Sequence, residues 1–143
     1  MKIFITGAAG YIGGMLTHVF LNDPQVERII ALDLKEKDNL LPKEIQNHPK
    51  LVWVTYNLGD DGWQDKVLKE GPIDAVIHCA YIIRQGYGKK RAWQVKSNIT
   101  AAEKLFDFVF KNKILSWKND WVLADCKIFS KFSSNQKTSF SIK

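Results

Sequence analysis

The sequence predicts an α/β fold: a Rossmann-like, doubly wound parallel sheet of about four to five strands, cut short relative to a complete domain of that class. Three observations predict it. Short apolar runs alternate with segments of helical periodicity. The first run ends in a glycine-rich turn that opens a helix. An acidic residue, Asp33, closes the second run 20 residues after the last glycine of that turn.

The elements follow in order. Lys2–Thr6 is short, apolar and reads as a buried strand. Tyr11–Leu21 carries Ile12, Met15, Leu16, Val19 and Phe20 at helical spacing, which predicts a helix with those residues on its inner face. Arg28–Asp33 and Leu51–Thr55 are the second and third strands. Gly62–Glu70 is a short helix, and Ile73–Cys79 the fourth strand. Trp93–Lys111 is a long helix with Val95, Ile99, Ala102, Leu105, Phe106 and Val109 on one face. Strands separated by helical crossovers pair in parallel and are covered on both faces. The order 3-2-1-4 is expected, with a fifth element near Trp121–Phe129.

Composition narrows the function. The chain has 143 residues, 45% of them hydrophobic and 25% charged, and no run of about 20 apolar residues that would span a bilayer. No leader pattern precedes Lys2, so a cytoplasmic setting is expected. Cys79 and Cys126 lack the spacing of a metal site or a disulfide scaffold. The net charge is +6, but residues 1–110 hold 14 Lys+Arg against 13 Asp+Glu, whereas residues 111–143 hold 7 Lys against 2 Asp. The body is nearly neutral and the excess lies at the end. No nucleic-acid reading motif accompanies it, so no specific nucleic-acid partner is expected. All nine glycines and all four prolines precede residue 89. The chain therefore divides into a body, 1–112, and a divergent basic Lys/Ser-rich tail, 113–143.

The turn Thr6-Gly7-Ala8-Ala9-Gly10-Tyr11-Ile12-Gly13 spaces three glycines as Gly-x-x-Gly-x-x-Gly. Gly7 allows a sharp turn, Gly10 admits a pyrophosphate to the main chain, and Gly13 permits close helix packing. The helix start offers unpaired N–H groups to phosphate. Asp33, followed by Leu34, would accept from both ribose hydroxyls and repel a 2′-phosphate, which selects NAD over NADP. Lys35 and Lys37 soften that preference. A strand-end Asp that only caps a turn is the competing reading.

These segments resemble the extended short-chain dehydrogenases/reductases, the NAD-dependent epimerase/dehydratase group. The resemblance rests on Met1–Gly13, on Ile30–Asp33, on Asp74–Ala80 and on Asn98–Leu105, and covers about residues 1–112. It implies that Gly7, Gly10, Tyr11, Ile12 and Gly13 face the pyrophosphate of NAD, and Asp33 the adenosine ribose. Asn57 and Leu58 would lie beside the adenine, where the family has Asp and an aliphatic residue. Cys79, Ala80 and Tyr81 would line the cofactor after the fourth strand. His78 reads better as a strand histidine with satisfied hydrogen bonds, and Cys79 as an inert thiol.

The family's chemistry uses a Tyr and, four residues on, a Lys. Here Tyr11, Tyr56, Tyr81 and Tyr87 are followed at that distance by Met15, Asp60, Gln85 and Arg91. Arg91 is no lysine equivalent. Ser133-Ser134 reads as tail. No catalytic residue is assigned. The expectation is the NAD-binding N-terminal portion of an epimerase/dehydratase acting on a nucleotide sugar, incomplete alone through truncation or a shifted reading frame. A sugar substrate belongs to the full-length family only. The alternative is a non-catalytic NAD-binding or scaffold module whose basic tail contacts a partner. A homo-oligomer is possible but unsupported by any residue pattern.

Overall fold

The computed structural model describes residues 1–40, 42–82 and 89–114. The elements in chain order are β1 (Lys2–Thr6), α1 (Tyr11–Leu21), β2 (Arg28–Asp33), β3 (Leu51–Thr55), α2 (Trp63–Leu68), β4 (Ala75–His78) and α3 (Lys89–Lys111). Two short 3-10 turns, Lys37–Asn39 and Lys43–Ile45, lie between β2 and β3. The sheet is parallel with order β3-β2-β1-β4. The expected order is thus the observed one. The expected fifth element near Trp121–Phe129 lies outside the described residues, as does the tail from residue 115.

Alternation along β1 divides the core. Phe4 points to one face, where it meets Trp63 of α2 and Phe108 of α3. Its ring stacks on Trp63 with centroids 5.6 Å apart and meets Phe108 edge-on at 6.0 Å. Ile3 and Ile5 point to the other face, against Leu21, Val26, Leu40 and Ile45. β2 is buried on both sides, which is why it reads as a continuous apolar run.

The inner face of α1 differs from the sequence expectation. Gly13, Gly14, Thr17 and Leu21 are buried, while Ile12, Met15 and Val19 are exposed. Leu16 and Phe20 are half-buried. Small residues bring the helix backbone close to the sheet, and larger side chains are turned outward. Thr17 is tolerated inside because its hydroxyl donates to the Gly13 carbonyl at 2.7 Å.

The long helix starts at Lys89, four residues earlier than its apolar periodicity suggests. The added turn is basic and helix-compatible but carries no apolar repeat. Its buried apolar residues are Ala102, Leu105, Phe108 and Val109, whereas Val95 and Ile99 are exposed and the polar Gln94 is buried. Only the second half of α3 is held by the core. α2 and β4 are shorter at both ends than expected. Lys113, with φ 52°, closes α3: Lys113 N–H donates to Phe110 and Ile114 N–H to Val109. This Schellman closure returns Ile114 to the core, past the expected boundary at 112.

The amino end of the sheet is fastened by polar clamps. Lys2 N–H donates to Asp74 at 2.7 Å, and the Lys2 ammonium to the Glu70 carbonyl at 2.8 Å. Arg28 pairs with the Glu70 carboxylate at 3.2 Å, and the Met1 ammonium donates to the Gln25 carbonyl at 2.6 Å.

Candidate cofactor site

At the carboxyl end of the sheet the chain leaves β1 for one face and β4 for the other. That divergence makes a crevice beside β1, the place where open α/β sheets hold ligands. Gly7 occupies it with φ +71°, a left-handed conformation. A Cβ there would lie 2.5 Å from the Ala80 nitrogen. The turn and the β4 exit therefore touch through backbone alone. A Cβ at Gly13 would fall on the Gly7 carbonyl oxygen, so Gly13 lets α1 close upon the turn itself.

Gly10 differs from both. Its backbone is extended, φ −75° and ψ 164°, and it precedes the first turn of α1 without a side-chain cap. A Cβ would meet only the Gly7 oxygen, at 3.1 Å. The remaining side is open, and the residue is exposed. Beyond that one tight contact, the space a side chain would fill lies open in front of a helix start.

Two further bonds shape the turn. Gly7 N–H donates to the Leu32 carbonyl at 2.8 Å, and Ala9 N–H to Asp33 Oδ2 at 2.9 Å. Asp33 Oδ1 accepts from Lys35 N–H at 3.0 Å. The Asp33 carboxylate thus faces the glycine turn across the ends of β1 and β2, half-buried.

The remaining expected residues fall around this center in different ways. Leu34 and Tyr81 are strongly exposed, as are Tyr11 and Ile12. Asn57 is exposed, and its side-chain oxygen accepts from Gly59 N–H at 3.1 Å, which leaves one lone pair for a ligand. Leu58 turns its side chain into the core, beside Trp63. Cys79 and Ala80 are half-buried at the β4 exit, where Cys79 N–H donates to the Thr6 carbonyl at 3.0 Å. Burial pushes the Cys79 thiol pKa up, which keeps it protonated and unreactive at neutral pH.

His78 shares a hydrogen bond of 2.6 Å between Nδ1 and the buried Thr6 hydroxyl. Burial holds its pKa below the ordinary histidine value, so the ring is neutral at pH 7. The pair stitches the ends of β1 and β4. Sequence reasoning missed a second brace. Asn98 of α3 accepts from Ile82 N–H at 3.0 Å and donates to the Ile82 carbonyl at 3.3 Å, and Gln94 donates to the same carbonyl at 2.5 Å. The signal was a buried-side Gln and Asn one turn apart within a helix. These two amides fix the main chain directly after Tyr81. Among the described residues no cluster of metal-ligating side chains occurs, and no helix is long and apolar enough to cross a membrane.

Residues 3–119 match the NAD dependent epimerase/dehydratase family. The match runs past the boundary expected at residue 112. An uncharacterized UDP-glucose epimerase of Bacillus subtilis is 31% identical over 120 residues, covering 75% of this chain and 35% of the relative. An uncharacterized protein of Methanocaldococcus jannaschii is 28% identical over 119 residues, with the same coverage. Among solved structures, UDP-glucuronic acid 4-epimerase from Bacillus cereus in complex with NAD is 25% identical with a TM-score of 0.63, over 76% of this chain and 36% of that one. The chain spans about a third of the length of the proteins it matches. With a parallel sheet ordered β3-β2-β1-β4, a Gly-x-x-Gly-x-x-Gly turn at its crevice and a family match over most of its length, the chain belongs to the NAD-dependent epimerase/dehydratase family.

Proposed function

We propose that this chain binds NAD in the crevice at the carboxyl ends of β1, β2 and β4, as the dinucleotide-holding portion of an epimerase or dehydratase acting on a nucleotide sugar. The observation that carries the reading is Gly10. Its φ and ψ suit any L-residue and a Cβ would touch only the Gly7 oxygen, at 3.1 Å, yet it is a glycine with open space before a helix start. A pyrophosphate there receives main-chain N–H groups and the positive end of α1. Gly7, Gly10 and Gly13 would face the pyrophosphate, and Asp33 the adenosine ribose. Tyr11 and Ile12 would border the phosphates, Leu34 and Asn57 the adenine side, and Cys79, Ala80 and Tyr81 the β4 side, while Leu58 backs Asn57 from within the core. NAD, when bound, supplies hydride chemistry. The protein's own residues hold it: glycine backbone for the phosphates and the Asp33 carboxylate for the ribose diol. That carboxylate opposes a 2′-phosphate by charge and so selects NAD over NADP. The nucleotide-sugar class rests on the relatives' names.

The experiment is a calorimetric titration of the full chain with NAD and with NADP, repeated on Gly10→Leu. NAD is expected to bind at least about tenfold more tightly than NADP, a difference of about 1.4 kcal/mol. Gly10→Leu is expected to keep a cooperative melting transition, somewhat lowered by the contact of its Cβ with the Gly7 oxygen at 3.1 Å, and to lose NAD binding. Retained affinity in that variant would remove the phosphate site from the turn.

A further inference from the structure

Asp33 has a neighbor that a residue reading only ribose does not need. Its two carboxylate oxygens accept from two backbone amides on opposite sides: Ala9, in the middle of the glycine turn, and Lys35, just beyond β2. A carboxylate offers about four lone-pair directions. Two are taken here by the protein, and two remain, the number a ribose diol requires.

Ala9 is the residue whose N–H would otherwise point at nothing fixed. Gly7 and Ala8 are tied to the Leu32 carbonyl and Gly10 to the Gly7 carbonyl, so among the turn amides from Gly7 to Gly10 the Ala9 N–H is the one held by a side chain, that of Asp33. Gly10, the open position, follows directly. We propose that Asp33 is a positioning residue for the phosphate turn: it holds Ala9, and through Ala9 the backbone of Gly10, in the shape that receives a pyrophosphate, apart from any contact with the ribose. The inference rests on the cofactor site proposed above and deepens it. It makes one carboxylate serve both halves of the site, with the turn ordered before ligand arrives.

Asp33→Asn isolates the role, because it keeps size and shape. The amide has one oxygen and one NH2 group, so of the two backbone donors only one finds an acceptor and the other meets a donor. The full-length chain is titrated with ADP and with 2′,3′-dideoxyadenosine 5′-diphosphate, which keeps the phosphates but has no diol. The proposal expects Asp33→Asn to weaken both by about tenfold or more, since bonds to a charged acceptor are the strong ones. A loss confined to ADP, with the dideoxy compound unchanged, would overturn it while leaving the cofactor site intact.

Amide exchange in the ligand-free protein separates the two readings further. In Asp33→Ala, which offers neither Ala9 nor Lys35 an acceptor, the Ala9 amide is expected to exchange about tenfold faster, with the β1 and β4 amides unmoved. A uniform rise across the sheet would mark Asp33 as merely structural and overturn the proposal, as would an unchanged Ala9. The unaltered chain gives an independent reading by nuclear magnetic resonance. Scalar coupling from the Ala9 amide nitrogen to the Asp33 side-chain carbon is expected, and its absence overturns the proposal even if the variant does not fold.

Discussion

Gly7 and Gly10 sit three residues apart in one turn, and their substitution should separate folding from binding. Alanine at Gly7 meets two penalties: a left-handed φ that costs about 1–2 kcal/mol for an L-residue, and a Cβ 2.5 Å from backbone that cannot move aside. Gly7→Ala should therefore lower unfolding stability by more than about 2 kcal/mol in a urea titration. Gly10→Ala should cost less than Gly7→Ala, because its φ is ordinary and its Cβ would press on a single atom, the Gly7 oxygen at 3.1 Å, which must give by a few tenths of an ångström. Equal losses at both positions would contradict the contact geometry. His78 makes a pH prediction at the same scale. Its pKa is lowered on folding, so as pH falls below the ordinary value of about 6.5 the unfolded chain takes up the proton first. The contribution is fully present above that pH and is lost as acidity rises toward the folded value. The urea midpoint should fall between pH 7.5 and 5.5, and fall less in His78→Gln, whose amide can still bond Thr6. An unchanged slope in that variant would place the pH dependence elsewhere.

At the scale of elements, α2 is short, yet it supplies the center of one core. Trp63 is fully buried, 4.9 Å from the Phe108 ring and stacked on Phe4, and its indole N–H donates to the Leu58 carbonyl at 3.1 Å. Trp63→Ala should destabilize by about 3–5 kcal/mol, read by chemical denaturation, since it joins α2 and α3 to the sheet. A loss under about 1 kcal/mol would mean the cluster repacks freely. The elements also show what a sequence can disclose. β1, β2, β3 and α1 have the bounds their local signals suggest, because apolar runs and a glycine turn are written within a few residues. The inner faces of the helices were less legible. Counting apolar side chains put Ile12, Met15 and Val19 inward, but the approach of α1 to the sheet is decided by how small Gly13 and Gly14 are. Val95 and Ile99 are apolar and helically spaced, yet both are exposed, and no local signal distinguishes them from the buried Leu105. Asp33 was legible as an acidic strand end; its bond to Ala9 was not, because it joins backbone to side chain 24 residues away.

For the whole molecule, binding and chemistry should come apart. The residues proposed to hold the cofactor all lie between Gly7 and Tyr81, in and around the sheet. The Tyr and Lys pair that the family resemblance implies for proton transfer is absent at the required spacing from every tyrosine in the sequence. A positioned acid–base group typically contributes about 10²–10⁴-fold to a rate. We expect this chain to show no epimerase, dehydratase or dehydrogenase turnover of nucleotide sugars while it retains NAD. Assay of purified protein against Gly10→Leu checks this; turnover above that variant would reveal catalytic groups outside the expected pattern.

The two ends of the sheet have unlike duties. At the amino ends of the strands, Lys2, Arg28, Glu70 and Asp74 consume one another's charges and polar groups. At the carboxyl ends, the amides of Gly7, Ala8, Ala9 and Gly10 donate to Leu32, Asp33 and the turn itself, and the N–H groups at the start of α1 face outward. The strands between are four to six residues long, a separation of roughly 13–20 Å at about 3.3 Å per residue. A fluorophore placed at Pro72, beside the clamps, would consequently report unfolding yet remain blind to ligand, and one placed at Leu34 would sense arrival in the crevice. The two signals, recorded in a single titration, would tell a cofactor that merely steadies the domain from one that also reshapes it.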